Sequence, residues 1–151
     1  MHDHVKIRLA LLSERRALEA LQLRASLSNP GDRAALLANP DAIDLPLEQI
    51  NAGQVFVVEA AGAIKGFAAM LTREDGNAEL DAIFVEPDTW RRGLGRMLID
   101  YCATTARGQG AGALHVVGNP HAERFYVACG FEPVGSVETR FGVGTLMRRV
   151  L

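Results

Sequence analysis

The sequence predicts an α/β fold: one domain over residues 1–151, built on a mixed, mostly antiparallel twisted sheet with helices on both faces. Three observations carry this. Between Gln54 and Glu86, β-branched and aromatic runs are separated only by short turns, which makes them antiparallel neighbours. A helical pattern from Leu94 then separates the strand ending near Glu86 from the next one, Ala113 to Val117, so those two strands run parallel. Joining the two halves is the stretch from Glu79 to Arg96, ELDAIFVEPDTWRRGLGR, a strand that turns directly into the glycine-rich opening of a helix.

Val5 to Leu11 alternates apolar and basic residues and reads as the first strand. Ser13 caps an amphipathic helix reaching Ser28, with Ala17, Leu18, Leu21 and Ala25 on its apolar side, and Asn29-Pro30-Gly31 ends it. A second short helix covers Asp32 to Ala38, and a further turn follows Pro46 through Asn51. Val55 to Ala60 and Ile64 to Thr72 form a hairpin around Ala61-Gly62, and Glu74 to Asn77 turns the chain into the Glu79 strand. There Leu80, Ala82 and Phe84 share one face and Glu79, Asp81, Ile83 and Val85 the other. Beyond Gly95, apolar Leu94, Met97, Leu98, Tyr101, Cys102 and Thr105 predict one helical stripe, closed by Gly108-Gln109-Gly110. Asn119-Pro120 opens another helix, apolar at Ala122, Phe125, Tyr126 and Cys129 and closed by Gly130. Phe131 to Glu138 and Phe141 to Val150 read as a final hairpin.

A chain of 151 residues with 48% hydrophobic and 23% charged content can bury a core without disulfides or a metal. Its formal charge of −2 gives no global field for nucleic acid or an acidic membrane surface, so neither is an expected partner. Any anion site must be local. Cys102 and Cys129, outside any CxxC pair, read as buried thiols in a reducing compartment. The N-terminus lacks the layout of a secretory signal, and no apolar run approaches the roughly 18 residues that span a bilayer, so the expected location is cytoplasmic. His2 and His4 flank Asp3 but have no further ligand cluster, and no metal is expected.

The chemistry gathers after Pro87. Pro87 cannot donate a ladder bond, and Asp88 and Thr89 are turn and cap types, so the strand stops near Glu86. In Trp90-Arg91-Arg92-Gly93-Leu94-Gly95-Arg96, two glycines allow close backbone approach, the helix opening offers unpaired N–H groups, and three arginines add positive charge. This is an anion cradle suited to a pyrophosphate.

Three signatures stand in one order: Phe84-Val85-Glu86-Pro87, then Arg92-Gly93-Leu94-Gly95-Arg96, then Asn119-x-x-Ala122-x-x-Phe125-Tyr126-x-x-x-Gly130-Phe131. Together they resemble the GNAT superfamily of N-acetyltransferases, which transfer an acetyl group from acetyl-CoA to an amine. The resemblance covers residues from Gln54 to Leu151. It departs from the family in one place, where Trp90 holds the position that is usually Gln or Arg. A generic nucleotide-binding loop would share the glycines, but the second motif argues against it.

The resemblance implies acetyl-CoA as co-substrate and a splayed parallel strand pair that receives the pantetheine arm like an extra strand. Backbone groups of Ile83, Phe84 and Val85 match the positions that bond the arm, with an amide near Val85 polarising the thioester carbonyl. Arg91, Arg92, Gly93, Leu94, Gly95 and Arg96 match the pyrophosphate loop, and Asn119 a contact on the arm. Tyr126 matches the general acid beside the sulfur, its reference pKa of about 10 suiting donation to a thiolate. For the base the resemblance favours Glu79, with Asp81 as its rival and the proton passing through water. His115 reads as a bonded strand residue rather than a relay, and Cys102 as packing rather than a nucleophile. The implied acceptor is a primary amine of a small molecule or peptide, and by analogy with the family the last strands are expected to pair in a homodimer. The alternative is a non-catalytic CoA-binding sensor of the same fold.

Overall fold

The computed structural model describes residues 4–151, so His2 and Asp3 of the terminal cluster lie outside the described residues. Seven strands form a mixed sheet: β1 (Val5–Leu9), β2 (Val55–Ala60), β3 (Ala63–Thr72), β4 (Ala78–Val85), β5 (Ala113–Gly118), β6 (Glu132–Thr139) and β7 (Gly142–Val150). Their order is β1-β2-β3-β4-β5-β7-β6. The helices that flank it are α1 (Arg15–Ser28), α2 (Pro30–Ala38), α3 (Leu47–Asn51), α4 (Leu94–Gly108) and α5 (Glu123–Ala128). The β4–β5 pair is parallel, with Ala78, Glu79 and Leu80 registered on Leu114, His115 and Val116, as the intervening helix requires. Pairs β1–β2, β2–β3, β5–β7 and β6–β7 are antiparallel.

The chain groups into two compact units, one of residues up to Ala69 together with Ala82–Leu98, the other of Met70–Asp81 and Ile99–Leu151. The first is centred on fully enclosed Leu18, Leu21, Val55, Val57 and Phe67, against which Ala82 and Phe84 pack from the end of β4. Fully burying each such side chain stabilises by about 1.5–3 kcal/mol. Gly66 sits in the middle of β3 because nothing larger fits: an added Cβ would stand 2.9 Å from the Phe84 carbonyl oxygen and 3.2 Å from the Val58 and Val85 methyls. Gly66→Ala should therefore destabilise by about 2 kcal/mol, a fall of about 5 °C in Tm by calorimetry. An unchanged Tm would mean that β4 yields freely at Phe84.

Several local features differ from those the sequence predicts. The Ser13 cap is not used; a 3-10 turn of Leu12–Glu14 precedes α1, and the Glu14 carboxylate accepts the Leu11 N–H at 2.8 Å. Glu14 also accepts two bonds from the Arg8 guanidinium, which bonds Glu59 as well, so both carboxyls are held below the ordinary glutamate range. The first strand stops at Leu9 rather than Leu11. In α4 the buried positions are Leu94, Leu98, Ile99, Cys102, Ala103 and Ala106, whereas Met97 and Tyr101 are exposed, so the predicted stripe is rotated. Small residues at 102, 103 and 106 permit close backbone approach, which a stripe chosen by hydrophobicity alone does not weigh.

In the second unit Leu114, Val116, Met147, Cys102, Tyr126 and Phe131 are buried. Burial pushes the Cys102 thiol up to about 12, which makes it inert at neutral pH, and Cys129 is a second enclosed thiol. The last helix is shorter than expected, starting at Glu123 rather than Asn119, because the preceding residues form a side-chain-bonded turn.

Candidate active site

The loop after β4 is built from its own hydrogen bonds. Pro87–Thr89 makes a 3-10 turn in which the Glu86 carbonyl accepts both the Thr89 N–H at 2.9 Å and the Thr89 hydroxyl at 2.7 Å. Arg24 of α1 clamps the Glu86 carboxylate at 2.5 and 2.8 Å. The backbone then enters the left-handed region twice, at Arg91 (φ +70°) and Gly93 (φ +82°), with Arg92 between them outside it. Such alternation can aim N–H groups to one side as an anion nest, although the Arg92 N–H is given to the Thr89 carbonyl at 3.2 Å. The first turn of α4 follows at once: Met97 N–H makes the bond to Gly93, so the N–H groups of Leu94, Gly95 and Arg96 precede the helical ladder. Arg91, Arg92 and Arg96 are exposed, and none has a carboxylate partner among the described residues. A nest, a helix N-terminus and three uncommitted guanidinium groups thus coincide over six residues, Arg91 to Arg96, which fits a multiply charged anion such as a pyrophosphate.

The end of β4 offers backbone groups unevenly. Glu86 N–H bonds the Lys65 carbonyl of β3 at 2.8 Å, and the Phe84 carbonyl lies over Gly66. Because bonding directions alternate along a strand, the groups of Ile83 and Val85 face away from β3 while those of Phe84 face toward it. Of the three residues expected to bond an extended arm, Ile83 and Val85 are the ones suitably turned.

In the second unit, Asn119 Oδ1 accepts the Ala122 N–H at 3.0 Å and sets the entry to α5. Tyr126 follows one turn later. Its ring is buried, edge-on to Phe131 at 5.6 Å and tilted against Phe125 at 5.4 Å. Gly118, the last residue of β5, provides the space, since a Cβ there would meet Tyr126 Cδ2 at 3.2 Å. Gly130 (φ +93°) then reverses the chain so that Phe131 N–H reaches the Tyr126 carbonyl at 3.0 Å. On the opposite side of β5, Glu79, His115, Arg148 and Glu132 lie in one cross-strand row. Glu79 is half-buried beside the imidazole; Asp81, two residues on, is exposed. Burial holds His115 below its ordinary value, aided by Arg73 and Arg148 and opposed by Asp75 and Glu79.

A family model described as the acetyltransferase (GNAT) family matches residues 21–131, well over half of the chain. The chain belongs to the GNAT acetyltransferase family. Solved GNAT structures share its architecture. PaiA N-acetyltransferase from Thermoplasma acidophilum, in complex with coenzyme A, superposes with a TM-score of 0.78 at 14% identity, covering 98% of this chain and 99% of that one. A putative acetyltransferase, YncA, from Salmonella typhimurium with acetyl-CoA gives 0.73 at 24% identity, covering 98% and 94%. The ribosomal-protein-S18-alanine N-acetyltransferase from Escherichia coli gives 0.70 at 20%, covering 97% and 94%. No curated protein matches the sequence significantly.

Sequence reasoning passes over two residues of this GNAT chain. Gly66 and Gly118 make room for Phe84 and Tyr126, and a glycine inside a strand pattern is the signal that could have found them. Trp90, noted in the sequence only as a departure from the family, donates its indole Nε1–H to the Val85 carbonyl at 2.9 Å. Nothing in the local sequence announces that bond.

Proposed function

We propose that this GNAT protein catalyses N-acetylation, moving the acetyl group of acetyl-CoA to a primary amine of a small molecule or peptide by direct attack in a ternary complex. The observation that carries the reading is the loop from Arg91 to Arg96, with its left-handed residues, helix opening and unpaired arginines. This loop holds the pyrophosphate, and Ile83 and Val85 hold the arm through their outward backbone groups. The Val85 N–H is the amide suited to polarise the thioester carbonyl. As the carbon–nitrogen bond forms and the carbon–sulfur bond breaks, the Tyr126 phenol gives its proton to the leaving thiolate and the amine loses one to water. Glu79 takes that proton from the water. Its half-buried place beside His115 favours it over the more exposed Asp81. Cys102 and Cys129, both enclosed and neither in a disulfide, fit a reducing, cytoplasmic setting.

Calorimetric titration with acetyl-CoA, followed by a thiol-release screen over small amines and peptides, tests this. Binding with turnover on at least one primary amine is the expected result. Binding with no turnover on any amine would favour the CoA-sensing alternative, and no binding would overturn the coenzyme reading itself.

A further inference from the structure

We propose that Trp90 is a displaceable latch: its indole occupies the Val85 carbonyl in the ligand-free protein and is released when the arm of acetyl-CoA takes that carbonyl. The inference rests on the coenzyme reading above. Val85 is the last residue of β4, and its carbonyl points away from β3, on the side where an extended ligand would add to the strand. In this chain that acceptor is already engaged, because Trp90 Nε1 stands 2.9 Å away across the Pro87–Thr89 turn. The indole is 43% exposed, so its ring is not locked into the core and can swing out without opening a cavity.

The turn itself is pinned independently. Thr89 bonds Glu86 through both its N–H and its hydroxyl, and Trp90 N–H bonds the Pro87 carbonyl at 3.3 Å. Release of the indole therefore costs one exposed neutral hydrogen bond and leaves the turn standing. Such a bond holds the latch closed by a factor of about ten at most. The apparent coenzyme affinity is reduced by the fraction of molecules that are open, so the latch weakens binding several-fold. It also links two parts of the coenzyme site, since Trp90 immediately precedes Arg91, the first left-handed residue of the arginine loop. Occupying the end of β4 frees the residue that feeds that loop.

Trp90 is the single tryptophan of the chain, so one indole N–H resonance reports on it without assignment ambiguity. In the ligand-free protein that proton should exchange slowly with solvent, and at saturating acetyl-CoA it should exchange markedly faster. Trp90→Phe keeps an aromatic ring and removes the donor; it should bind acetyl-CoA about fivefold more tightly by calorimetry. An indole proton that stays protected in the complex means that the carbonyl holds both donors, and overturns the latch. Unchanged or weaker binding by the folded Trp90→Phe variant overturns it as well. If the parent protein shows no calorimetric binding of acetyl-CoA, the coenzyme reading fails first and the latch falls with it.

Discussion

Tyr126→Phe is expected to lower the rate of amine acetylation by about two to three orders of magnitude while leaving acetyl-CoA affinity within about twofold. The substitution removes one oxygen and nothing else. The ring stays buried, held by Phe125, Phe131 and the space left by Gly118, and the backbone bonds of Tyr126 to Ala122 and Phe131 do not involve the phenol. Any loss therefore reports on the hydroxyl. Thiol release measures the rate and calorimetry the affinity, with a thermal scan to verify the fold. Unaltered turnover would remove Tyr126 from the mechanism. A matching loss of affinity would instead make the hydroxyl a coenzyme contact and leave the leaving thiolate without a donor from this residue.

Gly93→Val should weaken acetyl-CoA binding at least about tenfold, or 1.4 kcal/mol, with little loss of stability. At φ +82° Gly93 is in the left-handed region, where a β-branched residue is strongly disfavoured, yet a Cβ there would meet no atom within 4 Å. The cost is thus conformational rather than steric within the protein, about 1–2 kcal/mol locally. It is relieved when the loop leaves the geometry that aims its N–H groups together. Gly95→Val is the informative companion. Gly95 lies in the first turn of α4 and is not among the positive-φ residues, so a side chain there asks no change of backbone conformation from the loop. Its stability should hold or rise slightly, because valine is a better helix residue than glycine. If both variants bind as the parent does, the loop is an ordinary helix start and the pyrophosphate site lies elsewhere.

The legible parts of this protein are those set by rules that act over a few residues. Pro87, Gly93, Gly110 and Gly130 mark turns and helix ends because few backbone conformations are open to proline and only glycine tolerates positive φ without strain, and the last three all have positive φ. The parallel relation of β4 to β5 was legible for the same reason, since a helix between two strands leaves their direction little choice. The order of the Arg92 to Arg96 loop and the Asn119 to Phe131 segment pointed to the GNAT family without any knowledge of the packing.

What the sequence by itself determined, then, was most of the element types, the antiparallel and parallel strand relations and the family. Only the tertiary structure decided which face of α4 is buried, that Glu14 rather than Ser13 receives the turn before α1, that Gly66 sits under the Phe84 carbonyl, and that Trp90 closes on Val85. Each depends on which of several allowed partners a side chain or carbonyl meets, and at α4, Gly66 and Glu14 segments distant in sequence take part, as with Arg8 bridging Glu14 to Glu59 from another strand. Periodicity and turn chemistry are local, whereas the choice among several sterically allowed partners is made by packing, which enters only when the chain has closed on itself.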